Sequence, residues 1–205
     1  MPAAASADPV TIAALGDSLT QGYGLVQEQG FVPQLERWLN ARGADVVIVN
    51  AGVSGDTTAG GLSRVDWTLT PDVDAMIVAL GGNDLLRGLD PAVSRANIDG
   101  ILDAADAAGV PVLLAGLKAP GNYGADYQAE FDAIFTDLAA QHGTLLAPDF
   151  LGAIQSLPDR KAAMADYMQP DGIHPNADGV ALIIADLGPL VLDLVETVRA
   201  GGGQD

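Results

Sequence analysis

The sequence contains no cysteine, which excludes disulfide bonds, thiolate metal sites and a cysteine nucleophile. Basic residues are also scarce: nine lysines and arginines stand against 27 aspartates and glutamates, and the formal net charge is −18. Nucleic acids and anionic membranes are both bound through clusters of basic side chains, so neither is an expected partner. No apolar run reaches the roughly 18 residues of a membrane-spanning helix.

The remaining composition is that of a folded chain. Its 205 residues, of which 49% are hydrophobic, suffice for one domain with a sizeable core. We expect this domain at residues 10–200, between flexible segments at 1–9 and 201–205. The first segment contains Ala5-Ser6-Ala7, which resembles the small-residue end of a signal-peptide cleavage site. This favours a periplasmic or secreted protein with a trimmed signal, with a cytoplasmic location as the alternative.

Apolar and β-branched runs alternate with segments of helical periodicity along the whole chain. Strands are predicted at Val10–Leu15, Asp45–Asn50, Ala75–Leu80, Val110–Ala115 and Thr144–Leu146. Helices are predicted at Gln29–Ala41, Ala59–Trp67, Pro91–Ala108, Tyr127–Gln141 and Asn176–Arg199, the last kinked or split at Pro189. Residues 50–58 and 148–170 are predicted to be mainly irregular, with one helical turn near Phe150–Gln155. This alternation predicts an α/β fold whose parallel sheet carries helices on both faces.

Polar motifs follow each of the first three predicted strands. They are Gly16-Asp17-Ser18, Ser54-Gly55-Asp56-Thr57 and Gly81-Gly82-Asn83-Asp84. The carboxyl ends of parallel strands form one edge of a sheet, and ligands bind there, so we expect the three motifs to converge. A serine after a strand-ending glycine is typical of a nucleophile, although Gly-Asp-Ser is also ordinary turn chemistry.

A serine nucleophile needs a base, and the sequence offers two histidines. His142 ends a predicted helix, just before Gly143, and is expected to cap that helix or to lie at the surface. His174 lies in a loop, three residues after Asp171, which brings a carboxylate beside its imidazole. Such a carboxylate fixes the tautomer and leaves the other ring nitrogen for Ser18. Alternatively, His174 is a helix-entry residue and Asp171 belongs to a turn.

Four sequence blocks together resemble the SGNH hydrolases, also called the GDSL esterase/lipase family. The blocks are Gly16–Leu19, Asn50–Thr57, Gly81–Asp84 and Asp171–Asn176. The resemblance implies a flavodoxin-like three-layer α/β/α sandwich with a five-stranded parallel sheet of order 2-1-3-4-5. It implies Ser18, Asp171 and His174 as the catalytic residues. The oxyanion hole would be formed by the amides of Ser18, Gly55 and the Asn83 side chain, without cofactor or metal.

The loop after the fourth strand points to one branch of this family. Asn122-Tyr123-Gly124 resembles the substrate-side loop of the bacterial thioesterase I, arylesterase and lysophospholipase group. This implies a monomer that hydrolyses small-molecule esters, with aryl or short to medium acyl groups, and also thioesters, through an acyl-enzyme. The alternatives are a lysophospholipase or acyl-CoA thioesterase, a carbohydrate acetylesterase and a non-catalytic binding module.

Three aspartates near the motifs raise the question of a metal ion. The family pattern instead makes Asp17, Asp56 and Asp84 hydrogen-bonding partners that support the site. Asp17, beside the predicted nucleophile, is expected to order the oxyanion loops, with a plain turn carboxylate as the alternative.

Overall fold

The computed structural model describes residues 8–201. Residues 1–7, with the expected cleavage-site remnant, and residues 202–205 lie outside this range. Export and the two flexible segments therefore stay predictions. None of the helices in the described range is long and apolar enough to cross a membrane.

Five parallel strands form the single sheet of the described chain. They are β1 (Val10–Gly16), β2 (Val46–Gly52), β3 (Ala75–Ala79), β4 (Val112–Ala115) and β5 (Leu145–Ala147). Their order is β2-β1-β3-β4-β5, as the family resemblance implied. The central strands β1 and β3 are buried almost throughout, because helices cover both faces and leave no polar side to the sheet. At the edge, β2 alternates instead, with Val47 and Val49 exposed.

Nine α-helices accompany these strands within residues 8–201. They are α1 (Ser18–Gln21), α2 (Phe31–Asn40), α3 (Thr58–Thr68), α4 (Gly82–Arg87), α5 (Pro91–Ala108), α6 (Ala125–His142), α7 (Gly152–Gln155), α8 (Arg160–Tyr167) and α9 (Ala177–Gly201). Short 3₁₀ turns lie at Gln27–Gln29 and Gly121–Tyr123. Helices α2 and α9 pack together on one face of the sheet, and α3, α5 and α6 pack in a row on the other. The three-layer α/β/α prediction is thereby confirmed.

Several local predictions were wrong. Strand β2 continues to Gly52, inside the predicted loop, because residues 46–52 pair in register with the whole of β1. Helix α8 forms within the segment predicted to be irregular, where Asp159 caps it by accepting a hydrogen bond from the Ala162 N–H. Helix α9 is continuous through Pro189, so the predicted split is wrong and only a kink there stays a prediction. A proline inside a helix costs about 3 kcal/mol, and the buried apolar residues on both sides of Pro189 offset that cost.

His142 is not a surface residue. Its side chain is only 5% exposed, and it joins α6 to α5 through Nδ1 to Asp106 (2.7 Å) and Nε2 to Asp99 (2.8 Å). Burial lowers the pKa of His142, but the hydrogen bonds and charges of the two carboxylates outweigh it and raise the pKa above its usual value. With Asp103, His142 and Asp99 form the one group of potential metal ligands in residues 8–201 whose ligand atoms lie within 4.8 Å of one another. Since both ring nitrogens already have carboxylate partners, His142 serves as a clamp between two helices.

Candidate active site

Ser18 stands where the central strand β1 turns into a helix. Gly16 ends the strand, Asp17 caps α1 by accepting a hydrogen bond from the Leu19 N–H (3.0 Å), and Ser18 is the first helical residue. A Cβ at position 16 would lie 2.0 Å from the Thr20 Oγ1 atom, so only glycine permits this turn. The turn places Ser18 at the carboxyl edge of the sheet.

His174 reaches Ser18 from the loop between α8 and α9. Its Nε2 lies 2.9 Å from the Ser18 Oγ, and its Nδ1 lies 2.7 Å from the Asp171 Oδ2. The hydrogen bond from His174, with those from the Ile173 and His174 N–H groups, lowers the pKa of Asp171 to about 2. An ionised carboxylate only accepts hydrogen bonds, so Nδ1 carries the proton and Nε2 is left to accept one from Ser18. This is the arrangement that a general base requires.

Two residues that sequence reasoning missed hold the histidine loop in place. The Gln169 side chain donates to the carbonyls of Tyr23 (2.8 Å) and Pro175 (2.9 Å), and so joins the loop after α1 to the histidine loop. The Tyr23 ring packs against the His174 imidazole with 4.7 Å between ring centroids. Sequence reasoning missed Gln169 because its partners are backbone carbonyl groups, which every residue has and which no sequence motif marks.

The predicted oxyanion donors come from three separate segments. The N–H groups of Ser18 and Gly55 donate to no other group in residues 8–201, and Gly55 adopts a positive φ of 83°. Asn83, in the first turn of α4, donates through Nδ2 to the Asp17 Oδ2 at 3.3 Å, and its second amide hydrogen is left for a ligand. Asp17, Ser18 and Asn83 line one cleft, whereas Gly55 lies on a neighbouring loop outside its lining. The Gly55 carbonyl accepts a hydrogen bond from Arg87 of α4 (2.8 Å), which ties that loop to the helix of Asn83.

Asp84 is fully buried and anchors the helix that carries Asn83. Its carboxylate accepts hydrogen bonds from the Thr58 N–H (2.9 Å), the Thr58 hydroxyl (2.6 Å) and the Ser94 hydroxyl (3.0 Å). Helix α4 is thereby fixed to α3 and α5. A buried carboxylate is stable only when hydrogen-bond donors surround it, and the three donors from Thr58 and Ser94 meet this need for Asp84.

Burial raises the pKa of Asp17 to about 6, although the Leu19 N–H, the nearby His174 and the Asn83 amide all lower it. The side chain is almost inaccessible, at 2% exposure. A folded-state pKa above the unfolded value means that Asp17 favours folding when protonated. That contribution is fully present below pH 3.8 and is lost as the pH rises through about 6. At neutral pH the protein therefore carries a destabilising carboxylate beside Ser18.

We predict that Asp17→Asn stabilises the protein more at pH 8 than at pH 5, by about 1 kcal/mol, because asparagine does not ionise. Turnover should fall at the same time, since asparagine has a single side-chain oxygen and cannot accept hydrogen bonds from both the Leu19 N–H and the Asn83 amide. Urea unfolding at the two pH values measures the first effect, and kcat measures the second. The same substitution at the exposed Asp72 controls for the loss of one negative charge. An equal change in stability at both pH values would contradict the prediction.

An apolar cleft of about 380 Å³ opens beside Ser18 and Asn83. The apolar side chains that line it are Leu19, Leu85, Leu86, Leu117, Pro120, Tyr123, Leu151 and Ile173. Asn122 lines the cleft together with Tyr123, so the structure places both predicted substrate-loop residues there. Lys118 and Gln155 add polar groups. Such a cleft suits the apolar part of a small substrate whose reactive carbon lies at Ser18.

Comparisons with known proteins find a matching family, similar enzymes and similar solved structures. The model of the GDSL-like lipase/acylhydrolase family matches residues 14–182. The chain is 38% identical to esterase TesA of Pseudomonas aeruginosa over 90% of its own length and 89% of that protein. It is 36% identical to thioesterase 1/protease 1/lysophospholipase L1 of Escherichia coli strain K12, over 88% and 81% of the two chains. The crystal structure of AlinE4, an SGNH-hydrolase family esterase, superposes with a TM-score of 0.74 at 43% identity, covering 92% of this chain and 98% of that one.

Proposed function

Given that the chain belongs to the GDSL-like lipase/acylhydrolase family and is a serine esterase, we propose that Ser18, His174 and Asp171 carry out the hydrolysis. The observation that supports this assignment most strongly is the unbroken chain of hydrogen bonds from the Ser18 Oγ to His174 (2.9 Å) and from His174 to Asp171 (2.7 Å). Nucleophile, base and orienting carboxylate stand in the order that acyl transfer requires.

In the first half of the reaction, the Ser18 Oγ attacks the ester carbonyl carbon and its proton passes to the His174 Nε2. The carbonyl oxygen becomes an oxyanion, which accepts hydrogen bonds from the Ser18 and Gly55 N–H groups and from the Asn83 side chain. Collapse of this intermediate breaks the bond to the leaving alcohol or thiol, which takes the proton from Nε2. Asp171 stabilises the transient imidazolium.

In the second half, water attacks the acyl-enzyme and gives a proton to the His174 Nε2. The new intermediate collapses, Ser18 leaves and recovers that proton, and the carboxylic acid is released. In each half of the reaction, His174 Nε2 gives up the proton that it took, so the chain's own residues complete the proton balance.

We further propose aryl esters and short to medium acyl esters as substrates. The apolar cleft beside Ser18 supports this, because it offers room for an apolar group but few polar contacts. Thioesters are a second candidate, favoured by the similarity to the E. coli thioesterase. The bond cleaved at Ser18 would then be the thioester C–S bond, with no change in the residues that act.

Hydrolysis of p-nitrophenyl esters and matched thioesters, from acetyl to dodecanoyl, tests this proposal, with Ser18→Ala as the control. We expect the highest kcat/KM for short or medium acyl esters and slower thioester turnover. A maximum for the longest chains with efficient acyl-CoA hydrolysis would instead indicate a lysophospholipase or thioesterase. Faster turnover of acetylated xylan than of aryl esters would indicate a carbohydrate acetylesterase, and no serine-dependent turnover at all would indicate a binding module.

A further inference from the structure

Arg64 of α3 extends its side chain beneath the loops that carry the candidate site. Its three guanidinium nitrogens each bind one acceptor. Nε donates to the Asp56 Oδ2 (2.8 Å), Nη1 donates to the Ala51 carbonyl (2.7 Å) and Nη2 donates to the Gly16 carbonyl (2.9 Å). The side chain is 22% exposed. Arg64 lies outside the four sequence blocks that indicate the catalytic site.

Two of the three acceptors belong to residues within two positions of the proposed oxyanion donors, and the third belongs to the strand that precedes the Gly55 loop. Gly16 ends β1, two residues before Ser18, and Ala51 lies near the end of β2. Asp56 follows Gly55 directly. One planar group therefore joins the segment of the nucleophile to the segment of the second N–H donor, and a guanidinium is the side chain whose rigid fork serves several fixed acceptors.

Two of the groups that bind Arg64, the Gly16 carbonyl and the Asp56 carboxylate, are themselves closely packed. The Gly16 carbonyl also accepts a hydrogen bond from the Val53 N–H (3.0 Å), so β1 and the Gly55 loop meet at that oxygen. The Asp56 carboxylate lies so close to α3 that a Cβ at Gly60 would be 1.6 Å from its Oδ1. Glycine at position 60 thus makes room for the carboxylate that holds the guanidinium.

We propose that Arg64 is a positioning residue for ester hydrolysis, which sets the Ser18 and Gly55 N–H groups in register to receive one oxyanion. This inference rests on the proposed function, because it assigns Arg64 a role through the donors named there. A backbone donor must meet the oxyanion at about 2.7–3.1 Å, and displacement by about 1 Å can cost on the order of 100-fold in rate. Arg64 should therefore affect kcat far more than KM.

Arg64→Met, which keeps the length of the side chain but removes its donors, tests this role. We expect kcat to fall about 100-fold with KM changed less than threefold, and phosphonylation of Ser18 by a fluorophosphonate probe to slow in parallel. Arg64→Lys should lose nearly as much, because a single ammonium cannot serve three acceptors. In Arg64→Ala, added ethylguanidinium should restore activity at least fivefold.

Arg95→Met is the matched control, since it breaks the exposed ion pair of Arg95 with Asp137 (2.6 Å) on α5 and α6. Assays well below each variant's unfolding temperature separate lost activity from lost folding. If Arg64→Met does not fold, Asp56→Asn tests the same contact, with an expected loss of at least tenfold in kcat. Unchanged kcat in folded Arg64→Met, or a loss confined to KM, would overturn the inference, whereas an inactive wild type would overturn the proposed function instead.

Discussion

Replacing Ser18 with alanine is expected to lower kcat by about 10⁶-fold and to leave the unfolding temperature within a few degrees of the wild type. The substitution removes the oxygen that attacks the ester, whereas the backbone donors and the apolar cleft stay in place. Catalysis of about 10³–10⁴-fold over water should persist from those remaining groups. Turnover of a p-nitrophenyl ester measures the first quantity, and thermal unfolding of the same sample measures the second.

Ser63→Ala is a suitable control, because Ser63 is a helical serine whose hydroxyl donates only to the Gly60 carbonyl (2.7 Å). His174→Ala should be as damaging as Ser18→Ala, and combining the two should cost little more, because nucleophile and base act as one unit. Fluorophosphonate labelling of the Ser18→Ala protein, or turnover above about a thousandth of the wild-type rate, would show that another residue is the nucleophile.

Asp171→Asn is expected to lower kcat by about 10⁴-fold, which is less than the loss from Ser18→Ala. The amide oxygen can still accept from the Ile173 N–H, so the turn survives, but the amide nitrogen would face the His174 Nδ1. The His174 Nδ1 must then accept a hydrogen bond from the amide, which places the imidazole proton on Nε2. Nε2 can then no longer accept the Ser18 proton. The steady-state kcat and the rate of fluorophosphonate labelling should fall together.

Asp171→Ala sharpens this prediction because it removes the carboxylate without forcing the wrong tautomer. The Asp171 side chain is 37% exposed, so water can take its place and donate to or accept from Nδ1. The alanine variant should therefore be at least as active as the asparagine variant. If the asparagine variant is clearly the more active of the two, the role of Asp171 is something other than control of the tautomer.

Much of the fold could be predicted from the sequence because its signals are local. Apolar runs that stop at glycine mark the central strands, and the helix predicted at Pro91–Ala108 has those bounds in the structure. Proline at its start and Gly109 in a left-handed conformation after its end are strong boundary signals. Ligand sites are expected at strand ends, and Ser18 and Asn83 do line one cleft there, whereas Gly55 of the remaining motif lies outside its lining.

The parts that could not be predicted depend on contacts between distant segments. Helices α1 and α4 are too short for a periodic pattern, and they form because Asp17 and Asp84 are held by hydrogen bonds at the sheet edge. Arg64 binds a carbonyl 48 residues away, and backbone carbonyls carry no sequence signature. His142 does end a helix, but its burial could not be predicted because its two carboxylate partners belong to another helix.

The hydrogen bond between Ser18 and His174 spans 156 residues of chain. In the proposed mechanism, a growing polypeptide that has reached residue 170 already contains the nucleophile and every oxyanion donor, but it has no base. Hydrolytic competence thus arrives late in translation, once the loop before α9 has been made and docked. In a mixture of truncated and longer chains, those that end before His174 would therefore contribute nothing to an ester assay.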